Sequence, residues 1–527
     1  MGGSGRRTVL IVLSAALLVS GARGHGQAPA EGRTLLQSIA LPAIEGGLRV
    51  DESRAPDSPQ SLRRLTPRTA ATLVDRVGVS GARYVPGRVI VKFRDGTSSA
   101  ARLSAMSVTS RTAALSTRPA YADFDVMTID PAEDAEAVAA RLSRQSNVEY
   151  AQAAYREHAE FVPNDPFYTQ YQWNLPFIDM ERAWDIQPQA GSAITVAVLD
   201  TGVAYTNATV QFHAYAWNDG QGNDYPDLGD ITVPFVAATQ LASTGRFVSP
   251  HDFIWGDDMP LDLDGHGTHV SGTIGQLTND GVGTAGVAFN VKLMPVKVIS
   301  TDWDDIFQSP NAGTDDIVAQ GIRYAVDNGA KVLNMSIGRS GPAAPVVEDA
   351  VNYAVSKGAF VVIAAGNDFE SGNPTEVIAQ IASRVQGAVS VAAVDRAKAH
   401  AYYSSSGSWV ELAAPGGSFR GFGAEGGVLQ QTLDLQLVDT FFNAPAQYGP
   451  PRFDALAYYY FTGTSQATPH VAGLAAMLMQ QGITSPAAIE AALEKFATDL
   501  GDPGRDDLFG YGLVEARNTL RGLGLAK

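Results

Sequence analysis

Runs of apolar residues without a polar face punctuate the central part of the chain. Ile194-Thr195-Val196-Ala197-Val198-Leu199 and Phe360-Val361-Val362-Ile363-Ala364-Ala365 leave no side for water, the pattern of strands buried on both faces in a parallel sheet. Stretches that open at His266 and at Ser465 continue with helical apolar spacing and predict helices. Upstream the pattern changes. Arg88-Val89-Ile90-Val91-Lys92-Phe93 alternates, Asp125 to Ile129 is a second short strand, Asp134 to Leu142 is helical, and Val148-Glu149-Tyr150 begins another strand, which together predict a small α+β unit.

The polar residues at the ends of these elements carry the chemistry. The first buried strand ends in Asp200-Thr201-Gly202, a carboxylate at the carboxyl edge where open α/β sheets place their ligands. The string GHGTHVSGTIGQL at 265–277 presents His266 at a helix start, and GTSQATPHVAG at 463–473 presents Ser465 between small residues at another. A serine hydroxyl is a weak nucleophile until a base takes its proton and a third group orients that base, so Asp, His and Ser in this order form a candidate relay. Plainer readings exist for the neighbours. His266 and His269 are spaced like a metal pair, but Gly267 stands where a metalloprotease motif has glutamate, so His269 is assigned to packing, as is His470 behind Pro469. Asp200 alone would suit a strand-end turn, and Asn334 a polar core position.

The three strings resemble those of the subtilisin-like serine proteases over about residues 164–520, and the order Asp, His, Ser is the order of that family. The resemblance implies a doubly wound α/β fold, mostly parallel with helices on both faces. Asp200 then orients the imidazole, His266 acts as base and then acid, Ser465 attacks the scissile carbonyl, and Asn367 in Gly366-Asn367 donates to the oxyanion with the Ser465 backbone N–H. It also implies that an extended peptide pairs with Val332 to Gly338, with Ser336, Ile337 and Gly338 facing Ala364, Ala365 and Gly366 across the substrate pocket. Residues 368–384 depart from the family pattern, leaving the pocket floor unassigned and a large apolar or aromatic preference as the family expectation. The chemistry needs no cofactor. A structural calcium ion is expected at Leu277, Asn279, Gly281 and Gly283, a loop whose glycines suit a plain turn nearly as well.

Domain boundaries follow composition. Arg6 and Arg7 precede the apolar run Val9 to Val19, with small residues Ala22 and Gly24 after it, so residues 1–27 read as a signal peptide for export, by a general or a twin-arginine route, to the outside or the periplasm. Residues 28–82 are low-complexity and read as disordered, 83–160 resemble the ferredoxin-like inhibitor and folding-assistant prodomain of subtilase precursors, and 161–527 form the catalytic domain. The resemblance implies that the prosegment's tail lies in the active-site cleft and is cut by the enzyme itself, near Tyr155 to Pro163. Segments 203–250 and 418–460 exceed the basic family plan and suit cleft walls or plain surface insertions. The part after residue 160 carries 18 basic against 39 acidic residues, a formal charge of −21, which argues against nucleic acid and fits calcium binding or, more plainly, colloidal solubility outside the cell. There are no cysteines, so the core and a slow unfolding barrier must replace disulfides. Protein substrates, no membrane anchor and a monomeric state complete the expectation. A non-catalytic scaffold of the same fold is the alternative, and the presence of Asp200, His266, Asn367 and Ser465 together argues against it.

Gln466 follows the nucleophile where subtilisins commonly carry methionine, whose oxidation puts a polar sulfoxide beside the serine. Activity in dilute peroxide is therefore expected to outlast that of a Gln466→Met variant, and equal inactivation of both would contradict this.

Overall fold

The computed structural model describes the strand Ile39–Ala40 and residues 84–522, except 111–112, 116–117, 120, 156–160, 221, 244 and 441–446. The leader 1–27, most of 28–82, much of the expected processing region and Phe441-Phe442 lie outside the described residues. Two compact units divide the chain, one containing Val50–Val162 and the other Pro163–Met180 and Gln189–Thr519.

In the first unit four strands pair antiparallel in the order Ala114–Leu115, Asp125–Thr128, Tyr84–Phe93, Val148–Tyr155. Alternation sends Val89, Val91 and Phe93 inward, where they meet Met127, Val138, Leu142 and Val148 in one core. The helix Ala135–Leu142 starts at Asp134, whose carboxylate accepts from the N–H groups of Glu136 and Ala137. A further helix, Ser99–Thr109, capped by Ser98, completes the ferredoxin-like arrangement; its mixed SAARLSAMSVT sequence gave no clear apolar stripe.

The second unit is built on seven parallel strands in the order His251–Asp252, Lys292–Lys297, Thr195–Asp200, Val332–Met335, Phe360–Ala364, Ala388–Val394, Leu412–Pro415. Phe360–Ala364 and Ala388–Val394 are buried at every position, as runs without a polar face require. Strand order reverses at Thr195–Asp200, so Asp200 stands at the switch point where neighbouring connections leave a crevice. Helices Asp315–Asp327 and Pro345–Ser356 pack together, as do His266–Gly275 and Thr464–Gln480. The two long segments became antiparallel hairpins: Ala208–Ala214 with Gly229–Phe235, and Val428–Leu433 with Leu456–Phe461. Phe235 stacks on Phe453 at 4.9 Å, so one segment packs against the other. Among the described residues no helix is long and apolar enough to cross a membrane.

Candidate active site

Asp200 is the last residue of its strand and His266 the first of its helix, and the two meet with Nδ1 of His266 2.7 Å from Oδ1 of Asp200. The same Asp200 oxygen accepts the Thr201 N–H at 2.8 Å. Close approach of the helix depends on Gly267, since a Cβ there would collide with the Gly202 carbonyl and sit 3.1 Å from Asp200 Cβ. Asp262 fixes the junction. One of its oxygens accepts from the Thr201 hydroxyl at 3.0 Å and from the Gly265 N–H at 2.9 Å, and the other from the Thr268 N–H at 3.0 Å. Lys297, in register with Asp200, is buried against Asp304 at 2.9 Å and donates to the Leu261 carbonyl at 3.3 Å, holding the loop that leads to Asp262.

Burial disfavours the imidazolium of His266, but the adjacent Asp200 carboxylate, with Asp264 and Asp262 behind it, outweighs that cost and pushes the histidine up to about 9. Asp262 and Asp264 therefore act on the imidazole and its helix. Asp258 pairs with His251 at 2.8 Å. His269 is held between the carbonyls of Val428 and Tyr459 and stacks on Phe461, and burial pushes it down to about 3, so it stays neutral. His470 bonds to the Gln466 carbonyl and to Asn174, and burial lowers it to about 4.

Ser465 lies in the first turn of Thr464–Gln480, where its N–H has no helical carbonyl to meet and the helix dipole favours negative charge. Pro469 lacks the N–H that would bond the Ser465 carbonyl, and the Ser336 hydroxyl supplies it instead at 2.9 Å, itself held by Asn334 Nδ2 at 3.0 Å. Ser336 thus braces the serine helix with its side chain, a role not evident in the sequence. Ser465 Oγ donates to the Ser336 carbonyl at 3.2 Å, and the buried Nε2 of His266 has no hydrogen-bond partner, so Ser465 and His266 are not hydrogen-bonded to each other in this state. Asn367 accepts through Oδ1 from the N–H and hydroxyl of Thr464, at 2.9 and 3.1 Å. Because an N–H can only donate, the carboxamide orientation is set, and Nδ2 is the end left for another acceptor. Thr464, next to the serine, was not singled out from the sequence. Only its place in the Gly-Thr-Ser string hinted at it.

Ile337 and Gly338 continue half-buried beyond the end of Val332–Met335, and Ala364 and Ala365 end the neighbouring strand region inside the core. Gly366 spends its N–H on Thr464 Oγ1 and its carbonyl on the Ser405 N–H.

The 277–283 loop closes on residues 164–167. Leu277 donates to the Gln240 carbonyl, the Gly283 carbonyl accepts from Phe167 at 3.0 Å, Gly281 donates to Asn164 Oδ1, and Asn279 Oδ1 accepts from the Asn164 N–H at 3.3 Å. Beneath it Asp165, 3% exposed, accepts from the N–H groups of Asn279 and Asp280, and burial together with the Asp280 carboxyl raises Asp165 to about 6. Two crowded carboxyls, a side-chain amide oxygen and loop carbonyls are hard oxygen donors and fit calcium. Among the described residues no group of three or more acidic, histidine or cysteine side chains gathers for a metal.

The profile of the subtilase family matches residues 191–512, and that of the fervidolysin N-terminal prodomain matches residues 71–153. The chain is 30% identical over 449 residues to a thermophilic serine proteinase of Bacillus sp. strain AK1, covering 85% of this chain and 91% of that protein. It is 30% identical over 452 residues to an extracellular protease of Xanthomonas campestris, covering 78% of this chain and 69% of that protein. A solved protease structure from Pseudoalteromonas arctica superposes with a TM-score of 0.51 at 28% identity, over 70% of this chain and 100% of the other. With a parallel seven-stranded sheet and a buried aspartate–histidine pair at its switch point, the chain belongs to the subtilase family and is a serine endopeptidase with an N-terminal prodomain.

Proposed function

We propose that Ser465 is the nucleophile of this endopeptidase, His266 its general base and then acid, and Asp200 the residue that holds the imidazole and stabilises it when protonated. The observation that carries this is the buried 2.7 Å contact between His266 Nδ1 and Asp200, which fixes the tautomer and leaves Nε2 as the proton acceptor. In the reaction Ser465 Oγ turns from the Ser336 carbonyl to Nε2, gives up its proton and bonds to the scissile carbonyl carbon. The oxyanion receives hydrogen bonds from Asn367 Nδ2 and the Ser465 N–H. His266 returns the proton to the leaving amine. Water, deprotonated by the same imidazole, then releases the acyl group and regenerates the serine.

The peptide is held by pairing its backbone with Ser336 to Gly338, opposite Ala364 to Gly366. The segment 83–160 serves as intramolecular inhibitor and folding assistant ahead of a catalytic domain at 161–527, and the enzyme removes it. A parallel sheet of non-local contacts folds slowly, which suits a removable template. The leader at 1–27 exports a monomeric protein without a membrane anchor, a reading supported by its charge and apolar pattern and by likeness to an extracellular protease. Asp165, Asn279, Asp280 and the carbonyls of Leu277, Gly281 and Gly283 would hold a calcium ion that braces the loop and takes no part in the chemistry.

Expressed as wild type and as Ser465→Ala, only the wild type is expected to lose its prosegment and digest casein. Processing and digestion by both would overturn the assignment. Asn367→Ala is expected to fold normally and lose about 10²–10³ in kcat. The base form of His266 accumulates as pH rises through about 9, so kcat/KM is expected to climb on the alkaline side of neutrality. Asp264→Asn removes a carboxylate that favours the imidazolium, which lowers the histidine and moves that limb to lower pH; a limb that stays in place would remove Asp264 from the account. Chelation is expected to lower Tm and calcium to restore it, whereas an unchanged Tm would place no stabilising ion in the 277–283 loop.

A further inference from the structure

Both peptide groups that flank Asn367 are held by one residue far along the chain. The Gly366 carbonyl accepts from the Ser405 N–H at 2.8 Å, and the Asp368 N–H donates to Ser405 Oγ at 3.0 Å. These groups border Asn367 on either side, so fixing their planes fixes its φ and ψ, and with them the direction in which its side chain leaves the backbone. Ser405 is fully buried, and a Cβ on Gly366 would stand 2.8 Å from its Oγ, so the two backbones meet with no room for a side chain between them. The contact continues past Asn367. Phe369 N–H donates to the Tyr403 carbonyl at 3.0 Å, and the Asn373 carboxamide accepts from the Ser406 N–H at 3.0 Å while donating to the Ser406 carbonyl at 2.9 Å.

The other end of this segment reaches the turn that carries the serine. The buried Tyr403 hydroxyl lies 2.7 Å from the Gly417 carbonyl and 3.0 Å from the Gly416 carbonyl, and the Gly416 carbonyl also accepts from the Gly463 N–H at 3.1 Å, two residues before Ser465. Burial pushes the Tyr403 phenol well above its ordinary value, so it keeps its proton and remains a donor in alkaline solution. Ser404 ties the middle of the segment to the sheet, its Oγ accepting from the Ala393 N–H at 3.0 Å.

We propose that residues 403–405 are a positioning strap that sets the oxyanion donor in register with the nucleophile, and that Ser405 acts through Asn367. The proposal rests on the reading of Asn367 and Ser465 given above. Thr464 fixes the carboxamide end of the half-buried Asn367 side chain, and the strap fixes the backbone from which that side chain grows. With both ends held, Nδ2 stays where negative charge develops and needs no reorganisation as the transition state forms.

The experiment measures kcat and KM on a chromogenic peptide for wild type, Ser405→Ala, Tyr403→Phe, Asn367→Ala, and each strap variant combined with Asn367→Ala. Rates are normalised to sites titrated by a serine-directed phosphonate. Ser405→Ala is expected to lower kcat about 10–10²-fold with KM changed by no more than about twofold, because a misplaced donor loses much of its effect on the transition state. Once the Asn367 carboxamide is gone, the same substitution is expected to change kcat by about twofold or less, since the interaction it supported no longer exists. Tyr403→Phe is expected to show the same pattern with a smaller loss, and it decides the matter where Ser405→Ala fails to fold. An unchanged kcat in Ser405→Ala, or a loss of equal size with and without Asn367, overturns the proposal and leaves the oxyanion reading in place. Wild-type kcat in Asn367→Ala overturns both.

Discussion

The constraint on which the site depends is the burial of Asp200. A carboxylate almost without solvent at the end of a core strand is costly unless it is paired, and here the Thr201 N–H and His266 Nδ1 both reach Oδ1 while Oδ2 is buried without a hydrogen-bond partner. Pairing Asp200 Oδ1 with the imidazole therefore draws the histidine helix against the strand, and that approach is possible only because Gly267 has no side chain. Asp262 ties both sides of the junction, and the Lys297–Asp304 pair anchors the loop that presents it. The raised histidine is the electrostatic result: its surroundings are dominated by carboxylates, so its charged form is favoured despite burial.

The serine is positioned by a different device. Pro469 breaks the helical ladder at the Ser465 carbonyl, and the Asn334–Ser336 pair repairs it, which couples Ser465 to the strand that the peptide is proposed to extend. Thr464 links the serine to the other wall by holding Asn367 and Gly366 together. Ser465, Asn367 and the strands proposed to hold the peptide thus share a few hydrogen bonds, and a disturbance of Thr464 or Ser336 would be felt at all of them.

Much of this was legible in the sequence because buried parallel strands carry an unambiguous apolar signature, and their ends mark where Asp200 and Asn367 must lie. His266 and Ser465 were legible from glycine and small residues at helix starts. What escaped detection depends on tertiary proximity. Ser336 and Thr464 are ordinary polar residues in sequence, and their roles arise from Pro469 and Asn367, far away along the chain. Ser405 sits in a run of three serines with no periodicity, and only the folded chain brings it against the backbone on both sides of Asn367. The Ser99–Thr109 helix lacked an apolar stripe. The insertions at 203–250 and 418–460 pair within themselves as hairpins, which composition alone did not reveal.

The central claim is that the Asp200–His266 pair activates Ser465. The most direct test is the rate and location of covalent labelling by a serine-directed phosphonate, read by mass spectrometry of the digested protein in wild type and His266→Ala. The account predicts a single adduct on the peptide containing Ser465, formed at least a hundredfold more slowly when the imidazole is absent. An adduct on another residue, or labelling of Ser465 at the same rate without His266, would contradict it.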